Sequence, residues 1–226
     1  MTLLQVADIL NSQNLQEVQE DLKNLSWRDG RMTAGRMARE VKRNEQADLR
    51  TPAGAALHSK LHDAVIGHVV LQAAARPRRM SRIMVSRTSE GGHYGAHVDN
   101  AIMGQDAERL RTDLSFTLFL TPPENYEGGE LIIHSSSGMQ SLKLEAGDLI
   151  LYPSSDIHEV TPVTKGARVA AVGWIESMVA DQSQRAMLFD LENLRVSLRA
   201  SLPGNSAELL TLDKTIANLL RMWATP

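Results

Sequence analysis

Between Arg82 and Ser177 the apolar residues stop recurring every three or four positions and fall into short runs, each closed by a turn-forming cluster. The runs RIMVS, TDLSFTLFLT, GELIIHS, QSLKLE, DLILYPS, EVTPV and RVAAVGWIES are punctuated by SEGGHYG, PPENYEGG, SSSGM, EAGD and TKGA. Short β-like runs bounded by Gly, Pro, Asn, Asp and Ser predict antiparallel strands joined by tight connections. With a further short strand through His97 the count is about eight, the number that a double-sheet jelly roll uses.

On either side the period returns to that of a helix. Leu15, Val18, Leu22 and Leu25 recur at three- and four-residue spacing, and Ala56 to Ala75 is a longer apolar stretch that ends before Pro77. The intervening TAGRMAREVKRNEQADLRTPAG is polar and basic and reads as loop or extended edge. Beyond Ser177, QSQRAMLFDLENLRVSLRASL and SAELLTLDKTIANLLRMWA predict two helices interrupted at Pro203-Gly204. The expected architecture is mainly β with flanking helices. Residues 1–80 form an N-terminal helical support region, 81–177 the jelly-roll core and 178–226 a small C-terminal helical extension.

The 226 residues suffice for one such domain with helical additions. Its 24 basic and 27 acidic residues give a net charge of -3, so no global field points to nucleic acid or to an anionic membrane. Specificity must come from a site. Cysteine is absent, which excludes disulfides, thiol catalysis and Cys-ligated zinc and fits a reducing compartment. The stretch MTLLQVADILNSQNLQEVQEDL lacks the basic start and apolar run of a signal peptide, and no segment approaches the roughly 18 apolar residues of a membrane span. A soluble, cytoplasmic protein is expected.

The chemistry concentrates in His97-Val98-Asp99 and in His158, 59 residues after Asp99. Residues i and i+2 of a strand share a face, so His97 and Asp99 can offer an imidazole nitrogen and a carboxylate oxygen to one metal. A third ligand from a distant strand completes the two-histidine, one-carboxylate set of non-haem iron(II) oxygenases, and the same donors also suit catalytic zinc. Alone, His-x-Asp is more often a surface pair; its setting after a Gly-rich turn, with His158 opening a later strand, favours the metal. Arg168 follows His158 across TKGA, and two strands joined by that turn would bring Arg168 beside His158 inside the barrel. A buried guanidinium needs an anion, and a carboxylate can be gripped by two of its donors. A salt bridge to a protein acid, or simple exposure, is the plainer alternative.

Other candidates carry less. His58 and His62 stand at zinc-ligand spacing on a predicted helix, but HSKLH lacks the glutamate of a metalloprotease motif. His93 lies in a Gly-rich loop and is a candidate substrate contact or a solvated side chain. His134 ends a strand, Arg76-Pro77-Arg78-Arg79 reads as an exposed basic loop, and Trp174 as a folding landmark. The Leu-rich C-terminal helices suit either a dimer surface or a cover for one end of the barrel.

The segments HYGAHVDNAI, RTDLSFTLFLTPPENYEGGELII and LEAGDLILYPSSDIHEVTPVTKGARVAAVGWIESMVADQSQRAMLFDL resemble the bacterial PKHD-type hydroxylases, iron-uptake-associated relatives of the prolyl 4-hydroxylases. WRDGRMTAG and VKRNEQ extend the resemblance to most of the chain. It implies a double-stranded β-helix and an oxidoreductase, an iron- and 2-oxoglutarate-dependent dioxygenase. His97, Asp99 and His158 would be its iron(II) ligands and Arg168 its 2-oxoglutarate anchor, with no further catalytic side chain. Three protein ligands leave two positions for 2-oxoglutarate and one for O2, and turnover would give succinate, CO2 and a hydroxylated substrate. L-ascorbate is the further implied cofactor. The substrate would be a protein side chain such as prolyl, a siderophore or another small molecule, reached past VKRNEQ and the segment after Asn100. A homo-oligomer is compatible, and neither a membrane nor a nucleic-acid partner is expected.

One position departs from the family. A tyrosine usually stands nine residues before the first histidine, where this chain has Thr88; Thr88 or Tyr94 would have to compensate. Nucleobase oxygenases share the His-x-Asp pattern but carry a second arginine where this chain has Trp174, which favours the prolyl-hydroxylase-like branch. A non-catalytic, cupin-like metal-binding barrel is the competing reading.

Overall fold

The computed structural model describes residues 3–33, 40–106, 109–135 and 138–225. Its strands are β1 (Leu4–Val6), β2 (Trp27–Asp29), β3 (Lys42–Arg43), β4 (Glu45–Ala47), β5 (Pro77–Met80), β6 (Met84–Ser89), β7 (His93–His97) and β8 (Ile102–Met103). They continue with β9 (Leu110–Arg111), β10 (Leu114–Phe119), β11 (Tyr126–Gly128), β12 (Leu131–Ser135), β13 (Gly138–Leu142), β14 (Leu149–Pro153), β15 (Ile157–Val160) and β16 (Val163–Ser177). The helices are α1 (Ser12–Lys23), α2 (Pro52–Gly67), α3 (Val69–Ala75), α4 (Gln182–Arg199) and α5 (Ala207–Trp223).

Two antiparallel sheets make the core. The larger has the order β1-β14-β10-β16-β6-β4-β2, with β5 and β11 also paired to β16; the smaller has the order β13-β12-β15-β7-β3. This is the jelly roll that the strand count predicts. Side-chain alternation along β10 shows how its layers arise. Leu114, Phe116 and Leu118 pack into the cluster that includes Val18 of α1, Leu57, Leu61 and Val65 of α2 and Leu71 of α3. Phe119 turns the other way, against Leu131 and Ile133 of the smaller sheet and Ile150 and Tyr152 of β14. The helices therefore cover the outer face of the large sheet, and the space between the sheets is left for a site.

Local chemistry sets the helix ends. Asn11 caps α1 by accepting from the Asn14 amide at 2.9 Å, and Thr51 caps α2 by accepting from Gly54 at 3.1 Å. Leu57, Leu61 and Val65 recur every four residues, are fully buried, and contribute on the order of 2 kcal/mol each through burial. The single helix that Ala56–Ala75 suggests is two, because His68 adopts extended backbone (ψ 123) between α2 and α3.

Two further expectations change, and one open alternative is resolved. The first 80 residues, read as helical, also supply β1 to β5; runs of two to four residues are too short to show a period. The polar segment before Pro52 takes the extended-edge alternative through β3 and β4, while its residues 34–39 lie outside those described, as do 136–137 of the SSSGM turn. Most consequentially, β15 and β16 are not a hairpin. β15 pairs with β12 and β7, and β16 with β10, β6, β5 and β11, so the chain changes sheets between Val160 and Val163. TKGA is not a turn but the start of β16, where Gly166 faces Tyr126 of β11.

The C-terminal helices bury Leu188 of α4 against Leu212 and Ile216 of α5, with Val179. Arg76 bonds Glu192 at 3.0 Å and the Thr225 amide bonds Met178 O at 2.8 Å, fixing the pair to the body of the fold. Among the described residues no helix is long and apolar enough to cross a membrane.

Candidate active site

His97 and His158 are register partners on β7 and β15, which places their rings on one face of the smaller sheet with centroids 4.3 Å apart. β7 ends at His97, so Asp99 lies beyond the strand rather than in it; the alternation of exposure nevertheless continues, and Asp99 turns inward with His97. Ligand atoms of His97, Asp99 and His158 all lie within 4.8 Å of one another, and Asp99 Oδ2 is 3.6 Å from His158 Nε2. A cavity of about 1250 Å³ between the sheets contains all three together with Arg168.

The tautomers suit a metal. His97 Nδ1 is 2.9 Å from Gly95 O and His158 Nδ1 is 3.0 Å from Asp156 O. A carbonyl can only accept, so each Nδ1 carries a proton and each Nε2 is the nitrogen left to face a metal. Burial, then the neighbouring His158, holds the His97 imidazole well below the usual histidine range, in the neutral form that ligates. Asp99 is fixed from the large sheet: Ser115 Oγ on β10 lies 2.7 Å from Asp99 Oδ2 and 2.7 Å from Ser154 Oγ. With one proton to give, Ser115 donates to the carboxylate and accepts from Ser154. Two imidazoles and one oriented carboxylate are the donor set of an open iron(II) or zinc site.

Arg168 enters from the opposite wall. It is 3 % exposed, its Cα is the register partner of Thr88, and its guanidinium lies 5.1 Å over the Phe119 ring. Nε and Nη2 are buried without a hydrogen-bond partner, and among the described residues Arg168 forms no salt bridge, so neither the salt bridge nor the surface alternative is seen there. Burial pulls its basicity down, opposed by the phenols of Tyr126 and Tyr152, yet an arginine remains charged.

Several neighbours complete the site, of which Tyr152 was not singled out by sequence. Tyr94 stacks on His97 with centroids 3.7 Å apart, and Lys42 Nζ stands 4.9 Å from the Tyr94 ring centroid. Burial brings Lys42 down to about 8 against the pull of Asp99, and pushes Tyr94 up to about 12. Tyr152 meets His158 edge-on at 5.1 Å. Trp174, read as a folding landmark, lines the cavity and has a buried indole Nε1 without a partner. Lys42, Asn44 and Gln46 line this cavity, as do Ile102 and Met103. A signal for Ser115 and Thr117 was available, since both interrupt an otherwise apolar strand at alternate positions.

The set-aside residues are accounted for. His58 Nε2 accepts from the Ile83 amide at 3.2 Å, and His134 faces Glu159 at 3.7 Å. The Arg76-Pro77-Arg78-Arg79 segment is not an exposed loop: Arg76 is buried, Pro77–Met80 form β5, and Arg78 and Arg79 each reach Glu176 at 3.0 Å.

Residues 83–176 match the 2OG-Fe(II) oxygenase superfamily, and residues 182–225 the PKHD-type hydroxylase C-terminal domain. The chain is 50% identical over 222 residues to a PKHD-type hydroxylase of Hyphomonas neptunium, which spans 98% of this chain and 99% of that one. It is 44% identical over 220 residues to the PKHD-type hydroxylase YbiX of Escherichia coli, at 97% of each. Among solved structures, a Trichoplax adhaerens prolyl hydroxylase in complex with a hypoxia inducible factor peptide superposes with a TM-score of 0.55. It is 19% identical and covers 82% of this chain and 86% of that one, a likeness of fold.

Proposed function

The chain belongs to the PKHD-type hydroxylase family of 2OG-Fe(II) oxygenases, oxidoreductases of the dioxygenase class, and from that premise we propose that His97, Asp99 and His158 hold the iron(II) and that Arg168 grips the distal carboxylate of 2-oxoglutarate. The observation that carries this reading is the pair of buried, unpartnered Arg168 donors in the cavity that also contains the three ligands. An uncompensated buried charge costs several kcal/mol, and a dicarboxylate reaching across the cavity removes that cost.

Iron(II) bound there supplies the oxidising chemistry that turns 2-oxoglutarate and O2 into succinate and CO2 and leaves one oxygen atom in a substrate C–H bond. The chain's share is positioning. Gly95 O and Asp156 O fix both imidazole tautomers, Ser115 holds the Asp99 carboxylate, and the apolar cluster of Phe119, Leu131, Ile133, Ile150 and Tyr152 packs between the sheets beside the site. Residues 81–177 carry the chemistry, and 1–80 and 178–226 support it. The substrate is a prolyl or other protein side chain, or a small molecule such as a siderophore, consistent with a role in iron uptake; ascorbate keeps the metal reduced, and the cytoplasm is the site of action.

Anaerobic titration with iron(II) and 2-oxoglutarate should produce the weak visible charge-transfer band of a chelated 2-oxo acid, and Asp99→Ala should abolish it. Iron binding without any band in the parent protein would favour a non-catalytic, cupin-like barrel instead.

A further inference from the structure

The residues from Lys42 to Gln46 carry the chain from one sheet to the other, since β3 pairs with β7 at the edge of the smaller sheet and β4 pairs with β6 and β2 in the larger. Lys42, Asn44 and Gln46 line the cavity along this crossing, and Arg43 and Glu45 do not. Lys42 is only 6 % exposed, an uncommon degree of burial for a lysine. Its Cα is the register partner of Tyr94, its Nζ stands 4.9 Å from the Tyr94 ring centroid, and that ring stacks on His97 at 3.7 Å. The ammonium is therefore one aromatic ring away from a metal ligand, on the smaller sheet, while Arg168 is on the larger. The other charged residues of the cavity are Asp99, whose charge acts on Lys42, and the exposed Glu40.

Resting on the placement of iron(II) and 2-oxoglutarate given above, we propose that the substrate carries a carboxylate close to the C–H bond that is hydroxylated, and that Lys42 is the residue that selects it by pairing with that anion. The balance of charge carries the argument. The iron(II) dication and the Arg168 guanidinium are matched by Asp99 and the 2-oxoglutarate dianion, which leaves the buried Lys42 ammonium in surplus. Glu40 stands in water, where its charge is screened. Before the metal binds, Asp99 offsets Lys42; with iron(II) on Asp99 that offset is gone, and a buried charge without compensation costs several kcal/mol. A substrate anion restores the balance. The indole Nε1 of Trp174, buried without a partner in the same cavity, is a second group that can only donate, so acceptor oxygens suit the space. Met84, Val172, Ile102 and Met103 supply apolar lining for an aliphatic body. The class is thus an aliphatic carboxylic acid or an acidic side chain, rather than an internal prolyl residue, whose carboxyl is tied up as a neutral amide.

The test uses the protein loaded with iron(II) and saturating 2-oxoglutarate without O2, titrated with two acids, N-acetyl-L-proline and isovalerate, and with their uncharged counterparts N-acetyl-L-prolinamide and isovaleramide. Binding is read from the perturbation of the charge-transfer band, whose persistence shows that 2-oxoglutarate stays in place. At least one acid should bind about tenfold more tightly than its amide. Lys42→Met should bring that acid down to the level of the amide and leave the amide and the band unchanged, while Lys42→Arg should keep the preference. Neither acid outbinding its amide overturns the proposal, as does a preference that survives Lys42→Met. Loss of the band in Lys42→Met also overturns it, since Lys42 would then serve the co-substrate rather than the substrate. Absence of the band in the parent protein would instead bring down the placement of iron(II) and 2-oxoglutarate.

Discussion

At the scale of single residues, the site depends on groups that touch no substrate. Ser115 is the clearest, since its hydroxyl is the hydrogen bond that orients Asp99. Removing such a supporting donor weakens a metal site about 10- to 100-fold. Ser115→Ala should therefore release iron(II) to a competing chelator at about tenfold lower chelator concentration; parent-like competition would show that Asp99 needs no support. The His-x-Asp pair and the distant histidine were legible in the sequence, because metal chemistry restricts residue type. Ser115 left only a weak signal, a polar interruption of an apolar strand, and what it holds is decided by the pairing of β10 with β14 and β16.

At the scale of elements, the strand runs were legible from turn punctuation, but which strands pair was not. Consecutive runs joined by a short connection ordinarily form a hairpin, and β15 and β16 break that rule because Thr161-Pro162 carries the chain from one sheet to the other. Pro162 O accepts from the Gly129 amide at 3.3 Å, which pins the crossing against the β11–β12 corner. That corner leaves no room: Gly129 has φ +68, and a methyl group there would meet Val163, Arg168 and Tyr126. Gly129→Ala is expected to weaken 2-oxoglutarate binding at least tenfold while sparing iron(II), which titration of each in turn would check. A second joint is ionic. Glu176 on β16 holds Arg78 and Arg79 at 3.0 Å each and accepts from the Arg111 amide at 3.3 Å. Burial works to raise its carboxyl, but the Arg111 amide, Arg78 and Arg79 outweigh it and hold the group below its ordinary 4.5. A carboxyl depressed on folding contributes stability that is complete above its unfolded value and lost as pH falls through the folded one. Glu176→Gln should cost about 2 kcal/mol at neutral pH and flatten the acid side of a plot of denaturation midpoint against pH; an unaltered acid limb would show that the cluster is only superficial.

At the scale of the whole molecule, the terminal helices were legible as helices from their 3.6-residue period, but their docking was not, since Arg76–Glu192 joins residues 116 apart in the chain. Leu188 is fully buried in the cluster that α4 and α5 share. Leu188→Ala should destabilise the protein by about 3 kcal/mol in chemical denaturation, with 2-oxoglutarate affinity preserved in the fraction that remains folded. The placement of His158 and Arg168 on opposite sheets has a mechanical corollary. A small diacid chelated at one wall and clasped at the other is a cross-brace between two layers otherwise free to breathe against each other. Amide exchange should therefore slow in β7, β15 and β16 together when the diacid binds, and a ligand too short to reach both walls should leave the layers as loose as before.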